Sequence, residues 1–368
     1  MEIIVNRETL TKALDTVSGV IASKPAMMIL GGILIDAKDS EITLTATDLE
    51  NTIRVSVSGK VAQKGTVLLP GRKLISLVKQ LGEDDVRIVR KDNQVNIQTQ
   101  NSIYSFFVMD QEEFPKMPKF SGGTTLKMDA SSFRSALQNT KFCIYPEEPR
   151  PHFRGALLEI KGAQCAFVAT DTKRLAVVRR TLGAATSEHV RCLMPYRFLS
   201  LAGDILPEDG ELEISIGKNQ IFLKFNACFV ISQLLEGSQD FPDYERVIPD
   251  EKKLRTVLFQ TAALQSTLRR IALFVTERHN KVKFTFSTQR LTIAVSTPDV
   301  GEAQEKMTIE YAGGDQNIAF NPEFLLEFLS RVEGERVLFG FSAETKPVLL
   351  RPESDADFLY VAMPLKLD

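Results

Sequence analysis

Catalytic and metal-binding equipment is scarce in this chain. Only three histidines occur, His152, His189 and His279, and none lies within metal-ligand spacing of another. The signatures that cradle phosphates, expose a nucleophile or bind zinc are missing as well: there is no G-x-x-x-x-G-K-[ST], no G-x-G-x-x-G, no G-x-S-x-G and no H-E-x-x-H. These absences predict a protein with no cofactor, no metal and no catalysis of its own. Cysteine is sparse too. Cys143, Cys165, Cys192 and Cys228 are widely spaced with no C-x-x-C pair, which predicts reduced, mostly buried thiols in the cytoplasm rather than a disulfide framework. No apolar run approaches the roughly 18–20 residues of a membrane helix, and the opening Met-Glu-Ile-Ile-Val-Asn lacks the basic-then-apolar order of a signal peptide. The formal net charge is −2, so any affinity for nucleic acid has to come from how charge is arranged.

Repetition, by contrast, is abundant. Residues Leu44 to Val55, LTATDLENTIRV, resemble Cys165 to Val178, CAFVATDTKRLAVV, and more faintly Leu291 to Asp299, LTIAVSTPD. Each is an alternating strand running into a Thr/Ser-centred turn. About twenty residues later come LLPGRKLISLVKQL from Leu68, CLMPYRFLSLAGDIL from Cys192 and IAFNPEFLLEFLSRV from Ile318. Pro70, Pro195 and Pro322 are expected at the first helical position, where a preset φ suits the helix and a missing N–H is harmless. Asp48 to Asp171 spans 123 positions, Pro70 to Pro195 spans 125 and Pro195 to Pro322 spans 127, so independent markers give nearly one period. Each repeat also opens with a strand and an amphipathic helix. Leu10, Ala13, Leu14 and Val17 share one face, as do Leu264, Leu268, Ile271 and Val275. Short alternating segments broken at Asp92-Asn93 and Lys218-Asn219 read as antiparallel hairpins. The fold class is therefore α+β: three tandem domains, each with two helices packed on antiparallel sheet, at 1–119, 124–246 and 248–368. The expected junctions are Pro115 to Thr125 and Phe241 to Lys253. Asp48 and Asp171, which recur at one place in two repeats, are read as turn caps rather than a catalytic pair.

Four segments in this order resemble one family, the bacterial DNA polymerase III beta subunit or beta sliding clamp: Thr47 to Glu50, Ala169 to Val177, DFPDYERVIP at Asp240 to Pro249, and YVAMPLKL at Tyr360 to Leu367. The resemblance runs the length of the chain. It departs from the family pattern at Thr172 and Lys173, where Gly-His is frequent, and at Glu344, Thr345 and Lys346, which replace a serine-rich turn. The resemblance implies a DNA-clamp fold and a head-to-tail homodimer closing into a ring with pseudo-sixfold symmetry. Such a ring is a non-enzymatic processivity factor of DNA replication that tethers a polymerase to duplex DNA. Helix arithmetic favours two chains over one. Six helices at roughly 9 Å spacing close a circle about 17 Å across and twelve close one about 35 Å across, whereas groove depths imply a duplex about 20 Å wide.

Six expected helices (7–18, 71–81, 131–141, 196–205, 262–272 and 322–331) carry eleven basic and five acidic residues, which makes them the basic surface of an otherwise acidic chain. The DNA-facing candidates are Lys24, Arg72, Lys79, Arg134, Lys141, Arg150, Arg197 and Arg269. The family also implies a pocket for short apolar peptides, lined by Phe153, Thr170, Arg174, Leu175, Pro242, Arg246, Val247, Val361, Met363, Pro364 and Leu365. Its expected visitors are the DNA polymerase III alpha subunit, the clamp loader complex, repair and translesion polymerases, mismatch repair proteins and ligase. Lys73, Tyr104 and Phe106 against Leu273, Phe274 and Glu302 are the candidates for the dimer interface. Tyr104 and Phe106 share a face of one strand. Two other readings make different predictions. A peptide-binding scaffold would be a monomer without salt-sensitive DNA association, and a nuclease built on scattered carboxylates would show metal-dependent turnover.

Overall fold

The computed structural model describes residues 1–25, 27–39, 41–82, 85–118 and 122–367. The middle of the expected Pro115 to Thr125 junction, including the predicted domain end at residue 119, lies outside the described residues, as does residue 368. In the first repeat, β1 (Glu2–Asn6) leads into α1 (Arg7–Ser18). β2 (Gly32–Lys38), β3 (Glu41–Thr47), β4 (Asn51–Val57), β5 (Lys60–Gln63) and β6 (Gly65–Pro70) precede α2 (Gly71–Gln80), and β7 (Asp85–Lys91), β8 (Gln94–Gln98) and β9 (Ile103–Phe107) follow it. The second repeat runs β10 (Thr124–Asp129), α3 (Ala130–Lys141), β11 (Gly155–Lys161), β12 (Gln164–Thr170), β13 (Arg174–Thr181), β14 (Val190–Pro195), α4 (Tyr196–Ile205), β15 (Glu211–Ile216), β16 (Gln220–Phe225) and β17 (Cys228–Gln233). The third runs β18 (Arg255–Gln260), α5 (Thr261–Ala272), β19 (Val282–Ser287), β20 (Arg290–Thr297), β21 (Gly301–Thr308), β22 (Gln316–Phe320), α6 (Pro322–Leu329), β23 (Arg336–Phe341), β24 (Val348–Pro352) and β25 (Phe358–Ala362).

Local chemistry explains these boundaries. Asn6 caps α1 by accepting from the Glu8 and Thr9 N–H groups at 3.0 and 3.4 Å, and Asn321 caps α6 by accepting from Glu323 at 3.0 Å. Leu10, Ala13, Leu14 and Val17 are all buried, so the predicted stripe of α1 is its core face. In α5, Leu264, Leu268 and Ile271 are buried, but the helix ends at Ala272 and Val275 lies beyond it. The proline expectation holds for only one repeat. Pro322 opens α6, whereas Pro70 and Pro195 are the last residues of β6 and β14, paired with Gly32 and Gly155. A proline one place earlier suits a strand end equally well, because it donates no ladder hydrogen bond. Hairpin turns place Asp92, Asn226 and Gln289 in the left-handed region, which the short side chains of Asp92 and Asn226 tolerate.

The chain divides into two compact units, Met1–Ser131 with Leu201–Leu234 and Ser132–Ser200 with Leu235–Asp368. The first contains a sheet ordered β5-β1-β7-β8-β9 and a sheet ordered β10-β15-β16-β17-β4-β3-β2-β6. The second contains β14-β11-β12-β13-β25-β24-β23-β18 and β21-β20-β19-β22. All named strand pairings are antiparallel. Successive repeats are therefore joined edge to edge: β4 of the first pairs with β17 of the second, and β13 of the second pairs with β25 of the third. In the third repeat a ring cluster fills the core, with Phe286 stacked on Phe341 at 4.3 Å and Phe284 edge-on to Phe320 at 5.4 Å.

Candidate functional site

The predicted Thr-Asp turns form one hydrogen-bonded motif used twice. Thr47 Oγ1 donates to the Asn51 carbonyl at 2.9 Å and accepts from the Leu49 N–H at 3.1 Å. Thr170 Oγ1 donates to the Arg174 carbonyl at 2.6 Å and accepts from the Thr172 N–H at 3.0 Å. Asp48 Oδ1 accepts from the Glu50 and Asn51 N–H groups, and Asp171 Oδ1 from those of Lys173 and Arg174. The two aspartates are thus turn caps. In both turns the second residue after the threonine lies in the left-handed region, Leu49 at φ +79° and Thr172 at +72°; Asp299, two residues after Thr297 in the third repeat, does so at +63° although the Thr297 hydroxyl makes no hydrogen bond among the described residues. A β-branched threonine is strained there, at a position where the family pattern often has glycine.

Beside the second turn, in the second unit, lies a cavity of about 260 Å³. β12 and the turn bring Thr170 and Thr172, β13 brings Arg174 and Leu175, and the end of β25 brings Val361 and Met363. Phe153, Pro242, Tyr244 and Val247 come from the segments before β11 and after β17. Eight of the eleven predicted pocket residues therefore meet at one site. Three do not. Arg246 is exposed and paired with Asp243 at 2.8 Å, Pro364 is outside the lining, and the Leu365 N–H is tied to the Ala319 carbonyl at 2.8 Å, which seals the chain end against β22. Lys173 and the Glu344 to Lys346 turn are also outside it. Thr172 and Tyr244 were missed as lining residues, although Tyr244 stands inside the diagnostic DFPDYERVIP segment.

Behind Tyr244 sits Glu159, only 6% exposed, which accepts from the tyrosine hydroxyl at 2.8 Å and lies 3.0 Å from His189 Nε2 and 3.2 Å from Lys161 Nζ. Burial pushes its carboxyl up, but the bonds from Tyr244, His189 and Lys161 outweigh it and hold the group below the ordinary glutamate value. The Tyr244 phenol is pushed up, by burial first and then by its bond to Glu159. All four cysteines are buried, and burial raises the thiols of Cys192 and Cys228 to about 12.

The predicted cations are unequally free. Lys24 and Arg269 are exposed and make no ion pair among the described residues. Lys79 is paired with Asp15 at 2.7 Å, Arg150 with Glu148 at 2.6 Å, and Arg72 donates to the Ala22 and Ile21 carbonyls. Arg150 also lies over the Phe153 ring at 4.5 Å. Arg134 and Lys141 are half-buried on α3, and Arg197 is exposed on α4.

β9 and β21 each stand at one end of their sheets. Tyr104 and Phe106 share a face of β9, as predicted from alternation. Its other face carries Ile103 and Phe107, which are exposed at 67% and 71% and are not among the expected interface residues. After α5, Leu273 is 77% exposed, and a side chain at Gly301 would touch the Phe274 ring, the closest ring atom being 3.7 Å away. Glu302 accepts from Ser296 at 2.9 Å, and Lys73 is exposed on α2.

Comparison with known proteins gives one family over nearly the whole chain. Family models described as the N-terminal, central and C-terminal domains of the DNA polymerase III beta subunit match residues 1–118, 127–243 and 245–366. Proteins named beta sliding clamp from Chlamydia pneumoniae and Pseudomonas aeruginosa are each 28% identical over all of this chain, covering 99% and 100% of those relatives. The crystal structure of the DNA polymerase III subunit beta from Pseudomonas aeruginosa superposes with a TM-score of 0.95 at 27% identity, with both chains fully covered. With its three tandem domains, the chain belongs to the DNA polymerase III beta subunit family.

Proposed function

We infer that this chain is a DNA sliding clamp, a non-catalytic processivity subunit, and that two copies close head to tail into a ring around duplex DNA. The observation that carries the reading is a missing third join. The Thr turns make Asn51, Arg174 and Gly301 equivalent, so β4, β13 and β21 occupy one position in the repeat. The bridges Leu68–Met109, Leu193–Leu235 and Ala319–Leu365 make β9, β17 and β25 equivalent in the same way. β4 is joined to β17 and β13 to β25, which leaves β21 and β9 as edges. An unpaired edge is a template for another strand, and a second copy supplies it.

The existing joins also predict the register of the new one. Ile53 faces Val230 and Ala176 faces Tyr360, so Ala303 of one subunit faces Tyr104 of its partner, Gly301 faces Phe106 and Val300 faces Phe107. The exposed Val300 and Phe107 thereby meet each other, and Phe106 arrives over Gly301 beside Phe274 and Leu273. Closing one chain on itself would leave a six-helix hole narrower than a duplex, whereas two chains give room.

The proposed domains are 1–119, 124–246 and 248–368. Lys24, Arg72, Lys79, Arg134, Lys141, Arg150, Arg197 and Arg269 face the DNA and attract phosphates without reading bases. With Lys79 and Arg150 already paired, that attraction is weak enough for sliding. The apolar cavity receives short peptide segments of the polymerase III alpha subunit, the clamp loader and other clamp-binding proteins. The clamp works in the bacterial cytoplasm, and no helix among the described residues is long and apolar enough to cross a membrane. The test is to load the protein onto nicked circular DNA with its clamp loader and ATP, then linearise the DNA. Release only on linearisation supports a topological ring, and retention on linear DNA overturns it.

A further inference from the structure

Four of the ten residues lining the cavity have polar tips, and three of those tips are already engaged. The Thr170 hydroxyl is bound to the Arg174 carbonyl. The Tyr244 hydroxyl donates to Glu159 at 2.8 Å. Arg174, 9% exposed, donates from Nε to Asp171 at 3.0 Å, from Nη1 to Glu327 and from Nη2 to the Phe142 carbonyl at 2.8 Å. Its guanidinium carbon also sits 4.4 Å from the centre of the Phe324 ring and 5.7 Å from that of Phe142. None of Glu159, Asp171, Glu327 and Phe142 lines the cavity.

We propose that Glu327 on α6 and Glu159 on β11 are positioning residues for peptide binding: from behind the wall they draw the Arg174 guanidinium and the Tyr244 hydroxyl out of the cavity, so that a ligand meets an aliphatic stem and a ring. The proposal rests on the reading of the cavity as the pocket for short apolar peptides. An arginine has five N–H donors in a rigid fork. When Glu327 is removed, the freed donor on Nη1 needs another acceptor or water. Asp171 and the Phe142 carbonyl are already used, and a guanidinium turned toward the cavity brings water that an apolar ligand has to displace. Glu327 itself is half exposed, so it can be changed without leaving a buried cavity of its own.

The experiment uses the full-length dimer and a fluorescein-labelled octapeptide bearing two leucines and a phenylalanine, read by fluorescence anisotropy. Glu327→Ala is expected to weaken binding about 10-fold, and Glu327→Gln, which keeps an acceptor, by less. In an Arg174→Met background, Glu327→Ala is expected to change nothing further, and Tyr244→Phe is expected to mask Glu159→Gln in the same way. Unchanged affinity in Glu327→Ala overturns the proposal. So does a loss of affinity that persists in the Arg174→Met background, since that is the behaviour of a merely structural residue. If Glu327→Ala does not fold, as judged by its thermal melt, Glu327→Gln in both backgrounds carries the same comparison. Met363→Glu separates the two levels. If it leaves the affinity for the octapeptide unchanged, the cavity is not the peptide site and the underlying reading fails; if it weakens binding while the Glu327 variants leave the affinity unchanged, only the positioning role fails.

Discussion

At the β4–β17 join, Thr47, Asp48 and a left-handed Leu49 build the same turn that Thr170, Asp171 and a left-handed Thr172 build at the β13–β25 join. The side chains hung on that common backbone differ. Where the second join has Leu175, Val361 and Met363, the first has Thr52, Ile231 and Gln233. Thr52 is hydrogen-bonded to Thr47 at 2.9 Å, and Gln233 Nε2 donates to the Leu49 carbonyl at 3.3 Å. Counting from the turn and from the helix starts, Arg174 corresponds to Asn51, Glu327 to Leu201 and Phe142 to Gly19. Asn51 donates from Nδ2 to Asp48 at 3.4 Å, and Leu201 crowds Gly19 so closely that a Cβ there would sit 2.4 Å from its Cδ1. The backbone pairing is therefore the generic part that links domain to domain. The site is made by a few substitutions that replace a polar surface with an apolar hollow whose one cation is held from behind.

The sharpest way to break this comparison is to place a charge at one position in each join. Met363→Glu puts an uncompensated carboxylate against an apolar ligand and is expected to weaken octapeptide binding about 100-fold. Gln233→Glu, its counterpart, is expected to leave the affinity as it was; anisotropy measures both. At the join that needs a second copy, Tyr104→Glu is expected to raise the dimer dissociation constant about 10-fold or more, read by sedimentation on dilution, with the monomer still folded. Acid sharpens the contrast more modestly. The folded Glu159 carboxyl titrates below its ordinary value of 4.5, so its contribution to stability is complete above that pH and is lost as pH falls through the lowered value. The gap in melting temperature between the wild type and Glu159→Gln should accordingly be widest near neutrality and close below about pH 4.5. Smallest of all, Thr172→Gly and Leu49→Gly relieve left-handed strain and are expected to stabilise by about 0.5–1 kcal/mol each, measured by urea unfolding.

Periodicity made much of this legible beforehand. The apolar stripe of α1 and the hairpins at Asp92-Asn93 and Lys218-Asn219 depend on local spacing, and local spacing is what a sequence displays. Pro70 and Pro195 misled by one residue because a strand end and a helix start tolerate proline for the same reason, the missing N–H. The cavity was legible only through the family resemblance, because the adjacent Arg174 and Leu175 both line it and no alternation marks such a set. The same resemblance implies Pro364 and Leu365, but neither lines the cavity, and the Leu365 N–H is bonded to the Ala319 carbonyl. The pairs Tyr244–Glu159 and Arg174–Glu327 could not be grouped from sequence, since they cross 85 and 153 positions and depend on packing.

The central claim is that the third join copies the other two, and cysteine cross-linking tests it most directly. With Tyr104→Cys and Ala303→Cys in one chain whose native cysteines are all buried, opposed Cβ atoms fall within disulfide reach. The account predicts a covalently closed dimer on mild oxidation, and little cross-linking when Ala303→Cys is replaced by the register-shifted Glu305→Cys. Equal cross-linking in both pairs, or none in either while the protein is dimeric, would contradict it.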